Sequence, residues 1–252
     1  MTRKTGPEPG KCRAGGLSGP ARQVHQAVLA AFARTGQPPA RGELERLARR
    51  PGAGPDAVLA ELAEADVMAF TAGGEIRAAY PFSPVRTPIR VSWAGGTAAY
   101  AMCAIDALGM SAMLGHPVTI TAAEPGTGRI ITIRADGGRA RWQPRTAVVF
   151  AGSAGDACRP SADRACGYIS FFTTARAARA WARRHPEVTG TLLTRQGALD
   201  IGIAEFGTLL QAAPRADAPR RRAQSNEPRV NGESRTSDTG PRSSLRDRLR
   251  RT

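Results

Sequence analysis

Large apolar residues are confined to the middle of this 252-residue chain, and that confinement bounds any fold it can adopt. The last stretch, Pro214–Thr252, holds eleven arginines against five acidic residues and almost no large aliphatic or aromatic side chains. The first 21 residues are rich in Gly and Pro and equally poor in apolar runs. Segments of that composition cannot bury enough surface to offset the entropy of ordering them. Residues 1–21 and 214–252 are therefore expected to be disordered tails around a folded region of about 22–213, long enough for a real core. The start has no apolar stretch of the secretory kind, so the expected location is cytoplasmic, with reduced thiols. No apolar run reaches the roughly 18–20 residues that a membrane-spanning helix needs.

The same partition disposes of the charge. The formal net charge of +15 rests on 34 arginines and two lysines, and the two ends carry +3 and +6 of it. Only +6 is left for the middle. Nucleic-acid contact is thus expected only non-specifically, through the basic tail.

Helical periodicity runs over Gln23–Arg34, Arg41–Arg50 and Pro55–Ala65, the last with a proline suited to a first helical turn. Two short strands, Val67–Thr71 and Glu75–Ala79, follow around Gly73-Gly74. Three short helices and a hairpin make a winged-helix-like unit at 22–80. A DNA-reading third helix would offer basic or amide side chains to the bases. Here its outward residues include Asp56, Glu61 and Glu64, which repel phosphate. A structural or lid role is the expectation.

Residues 81–213 read as an α+β core with a mixed β-sheet and flanking helices. Strand patterns lie at Ile89–Trp93, His116–Thr121, Arg129–Ala135, Ala147–Ala151, Cys166–Thr173 and Leu192–Thr194. Helical stretches lie at Thr97–Leu114, Ala175–Arg184 and Leu199–Ala213, with Gly115 as the stop of the first.

Cys103 and Asp106 stand three positions apart in the first of these helices, on one face. Asp106 is framed by Ile105, Ala107 and Leu108, surroundings that disfavour a charged carboxyl and raise its pKa. Helix polarity assists a Cys103 thiolate only if the helix starts well after Gly95-Gly96. The residues alone leave two readings: an inert buried thiol beside a capping carboxylate, or a proton-relay pair. Of the other thiols, Cys12 lies in the first tail, Cys158 in a Gly/Ala/Arg loop, and Cys166 at the head of an apolar strand. There is no CxxC pair, no Cys/His zinc spacing and no HExxH. His25, His116 and His185 are isolated from one another.

Gly96–Leu108 (GTAAYAMCAIDAL), then Cys166–Phe172 (CGYISFF) and Trp181 in AWARRHPE, together resemble the organomercurial (alkylmercury) lyase family. Ala79–Ser83 (AYPFS) and the helical front add to the likeness, which spans about 22–213. The resemblance implies protonolysis of a carbon–mercury bond to a hydrocarbon and Hg(II). It puts the two catalytic cysteines at Cys103 and Cys166 and the catalytic aspartate at Asp106, all three touching mercury as transient substrate and product. Soft thiolates suit a soft cation. The resemblance implies no organic cofactor or resident metal, an external thiol for release, and hand-off of Hg(II) to a mercuric reductase. Some members carry an additional cysteine in the hairpin and another directly after the second catalytic one. This chain aligns Glu124 and Gly167 there, and Cys158 is read as a free loop thiol. The alternative is a non-enzymatic thiol metal-binding protein or a metal-responsive DNA-binding regulator.

Overall fold

The computed structural model describes residues 16–49, 54–155 and 161–211. Residues 1–15 of the first expected tail, with Cys12, the whole of the second and the loop thiol Cys158 lie outside the described residues. Residues 16–21, expected in the first tail, instead belong to the fold, with a helix from Gly19 and with Leu17 and Ala21 buried.

Three helices open the fold: α1 (Gly19–Thr35), α2 (Arg41–Ala48) and α3 (Pro55–Glu64). Strands β1 (Met68–Phe70) and β2 (Ile76–Ala79) form an antiparallel hairpin. The hairpin continues through β3 (Phe82–Ser83) into one eight-stranded sheet. The rest of that sheet is β4 (Ile89–Ser92), β5 (Ala98–Ala101), β6 (Val118–Ala123), β7 (Ile130–Asp136) and β8 (Arg139–Gln143), in the order β1-β2-β3-β5-β4-β6-β7-β8. A second sheet has the order β10-β9-β11, from β9 (Val148–Ser153), β10 (Ile169–Phe172) and β11 (Thr189–Leu193). Helix α4 (Ala104–Leu114) lies between β5 and β6 in the chain, and the one-turn α5 (Ser161–Arg164) precedes β10. Helix α6 (Ala175–Arg184) links β10 to β11, and α7 (Arg195–Phe206) follows.

The class is α+β, but the sheets are not mixed: every pairing among the described residues is antiparallel. The β5-α4-β6 and β10-α6-β11 segments do run parallel strands through a helix. In each case an antiparallel strand, β4 or β9, is inserted between the two.

Helix α4 is buried on nearly every face, from Ala104 to Met113, as expected of a helix apolar all round. It packs along α7 at glycine-on-glycine distance. A Cβ at Gly109 would stand 2.4 Å from the Gly202 carbonyl oxygen, so only glycine permits this approach. The front helices are fastened to the main sheet. Phe32 of α1 stacks on Phe82 with centroids 4.8 Å apart, and Trp93 Nε1 donates to the Ala33 carbonyl at 3.2 Å. No helix among the described residues is long and apolar enough to cross a membrane.

The structure departs from the sequence expectation most at 97–114. A single helix is expected there; instead Ala98–Ala101 is a strand, and the helix begins only at Ala104. Three of the four strand residues are alanine, which is depleted in strands, and the single Tyr100 does not outweigh them. What makes them a strand is pairing on both sides, with β3 and β4. Gly95 and Gly96, both at φ 79°, reverse the chain into it. Strands β3 and β8 and helix α5 were not anticipated, and α7 begins and ends earlier than Leu199–Ala213.

Candidate active site

The late start of α4 turns Cys103 from a helix-face residue into the helix cap. Its backbone is extended, and its Sγ accepts the Asp106 backbone N–H at 3.4 Å. The sulfur therefore sits at the positive end of α4, the condition under which helix polarity favours a thiolate. Asp106 is in the first turn, almost wholly buried.

Cys166 arrives from a different element. It is not in the strand but opens a one-turn 3-10 segment, Cys166–Tyr168, directly before β10. Antiparallel pairing of β10 on β9 carries that turn to the N-terminal end of α4. The Cys166 and Asp106 side chains both stand within hydrogen-bonding reach of the Cys103 thiol. Both cysteines are free and buried. Burial above all, then the hydrogen bond with Cys166 and the nearby Asp106 charge, push the Cys103 thiol well above its usual range. At rest Cys103 is a protonated thiol.

A cleft of about 600 Å³ opens onto Cys166. Met102, Phe171 and Ile169 give it an apolar wall, and Arg86 and Glu124 stand at its rim. Cys103 and Asp106 lie beneath this wall, 3% and 4% exposed. A larger cleft of about 780 Å³ lies between β8 and the start of α7, lined by Arg141, Arg145 and Arg195. It contains none of the three residues and no cysteine, so volume alone does not mark the site.

Two features of this region were not read from the sequence. Tyr80, within the AYPFS stretch, is buried, and its hydroxyl has Cys166, Asp66 and Asp106 among its electrostatic neighbours. Burial, with those neighbours adding, holds its phenol protonated. Glu124, aligned with the hairpin cysteine of some relatives, is also buried. It accepts the Thr173 backbone N–H at 2.7 Å and the Thr127 hydroxyl at 3.0 Å. It ties the β6–β7 turn to the end of β10, a structural use of that position.

The three residues singled out in the sequence thus converge: a capping cysteine, a first-turn aspartate and a cysteine on the facing turn. The model of the family described as alkylmercury lyase matches residues 82–207, which contain all three. The chain belongs to the alkylmercury lyase family. It is 31% identical over 124 residues to an alkylmercury lyase of Staphylococcus epidermidis. That match takes in 49% of this chain and 56% of the staphylococcal protein, so the chain spans little more than half of that relative's length. The crystal structure of the mercury-bound form of MerB2 shares the fold, with a TM-score of 0.63 at 24% identity. The superposition covers 79% of this chain and 95% of that one.

Proposed function

We propose that this family member cleaves the carbon–mercury bond of alkyl and aryl mercury compounds, with Cys103, Cys166 and Asp106 as its catalytic residues. The observation that carries the reading is the meeting of two reduced thiols and a carboxyl at one helix terminus, under an apolar wall. The Cys103 sulfur displaces the external ligand of the organomercurial, and its proton passes to Asp106. Cys166 then adds to the same mercury, weakening its bond to carbon. Two thiol protons leave in all. One is delivered by Asp106 to the carbon as the carbon–mercury bond breaks, giving the hydrocarbon. The other departs with the displaced ligand. Hg(II) remains on two thiolates. Met102 and Phe171 receive the organic group and exclude water.

The scheme calls for no organic cofactor or resident metal. It requires reduced thiols, hence the cytoplasm, and an acceptor thiol or a mercuric reductase to take the Hg(II). Residues 81–213 form the catalytic core of this reading. Residues 22–80 are its winged-helix-like cover rather than a DNA reader. Glu61 of α3 supports that role, because its exposed carboxylate is engaged within the front unit, accepting the Ser18 N–H and hydroxyl at the foot of α1.

The test is incubation with phenylmercury or methylmercury and excess thiol. Wild-type protein releases the hydrocarbon and Hg(II) stoichiometrically. Cys103→Ser and Cys166→Ser abolish release, and Asp106→Asn lowers it by about 10²-fold or more, the scale of a lost proton-transfer group. Natively folded wild-type protein that releases no hydrocarbon would sink the reading.

A further inference from the structure

Cys166 is delivered by a short segment with little regular structure of its own: one helical turn, Ser161–Arg164, and then the 3-10 turn. Such a segment cannot hold a sulfur in place by its own backbone hydrogen bonds. Two residues of it, Ser161 and Asp163, are gripped from outside, and both grips come from the stretch around the front hairpin. The Asp66 carboxylate accepts the Ser161 backbone N–H at 3.2 and 3.3 Å and the Ser161 hydroxyl at 2.7 Å. Arg77 Nη1 donates to Asp163 at 2.6 Å.

These contacts bridge 95 and 86 positions of chain for Asp66 and Arg77, so nothing local imposes them. Asp66 occupies the left-handed region, φ 52°, where the backbone turns from α3 into β1. Aspartate is among the few non-glycine residues that tolerate this conformation. Its side chain leaves that turn to cap the α5 turn.

We infer that Asp66 and Arg77 form a two-point clasp that positions Cys166 against Cys103. The front unit then has a definite task in the proposed reaction: it fixes the second sulfur. Asp66 is the stronger point, being half-buried with paired acceptors on one partner. The Arg77–Asp163 pair is more exposed and contributes less.

The inference rests on the lyase reading for its consequence in turnover but not for its test. The measurement is the alkylation rate of each cysteine in the full chain, resolved by peptide mass, alongside organomercurial turnover. Asp66→Asn keeps the left-handed backbone but offers one acceptor in place of two. It is expected to speed Cys166 labelling at least about fivefold while Cys103 stays within about twofold, a local opening. Turnover falls by about 10- to 100-fold, as for a misplaced reacting group. Arg77→Asp and Asp163→Arg should each give the same pattern more weakly, and the double exchange should restore wild-type labelling. Unchanged Cys166 labelling in natively folded Asp66→Asn overturns the clasp. So does an equal rise at both cysteines, or a double exchange that restores nothing. Because labelling needs no turnover, an inactive wild-type protein would sink the lyase reading and leave the clasp test intact.

Discussion

Cys103 and Cys166 reach the same place from opposite kinds of support. Cys103 caps an eleven-residue helix that is buried on nearly all sides and locked to α7 through Gly109 and Gly202. Cys166 sits on a single turn at a cleft mouth, held by side chains from the distant front hairpin. One sulfur is placed by the core and the other by a surface clasp. The difference suits the proposed chemistry: the deep thiol beside Asp106 keeps a fixed geometry for proton transfer. The outer thiol faces the cleft through which mercury enters and leaves.

The largest effect expected from breaking this arrangement is on the core side. A Cβ at position 202 would lie 2.7 Å from the Ile105 carbonyl oxygen and 2.8 Å from the Gly109 nitrogen, both backbone atoms. Alanine gains about 1 kcal/mol over glycine in helix propensity. Forcing backbone apart in a packed core costs about 1–3 kcal/mol or more, and here the clash is with two backbone atoms at once. Gly202→Ala should therefore lose about 2 kcal/mol net in urea unfolding, and turnover should fall because the N-terminal end of α4 moves. A stability equal to or above wild type would show that the helix contact does not hold Cys103.

A second effect, absent at neutral pH, is expected on the clasp side. His25 of α1 is buried and shares a small cavity with Asp66 and Tyr80. Burial lowers its pKa from 6.5 to about 4. The folded protein therefore keeps His25 neutral, while the unfolded chain takes up a proton below about 6.5. Its contribution is fully present above pH 6.5 and is lost as the pH falls through about 4, some 3 kcal/mol across the window. Urea unfolding at pH 7, 5.5 and 4 should show this slope, and His25→Leu should flatten it. An equal slope in the variant would remove His25 from the acid response.

The contrast also explains what could be read from sequence. Cys103, Asp106 and Gly115 lie within one apolar stretch whose spacing is local, so the helix, its stop and the pairing of Cys103 with Asp106 were legible. Its start was not, because Ala98–Ala101 becomes a strand only through partners on either side. Cys166 was legible through resemblance to a family, but its 3-10 turn was not. It follows Ser161 and Asp163, whose partners lie more than eighty positions earlier. Asp66 and Arg77 carry no pattern of their own: an aspartate after a helix and an arginine in a strand are ordinary until the chain is folded. Tyr80 was quoted only as part of a matching stretch. The antiparallel sheets read as mixed for the same reason: β4 and β9 show as strands, but local periodicity does not tell between which partners a strand is inserted.

The central claim is that both sulfurs take one mercury. It is tested most directly by X-ray absorption of the full chain loaded with one equivalent of Hg(II), with no external thiol present. The account predicts two sulfur neighbours on the mercury in the wild-type protein and one in Cys166→Ser. A single sulfur neighbour in wild type, or two in Cys166→Ser, would contradict it.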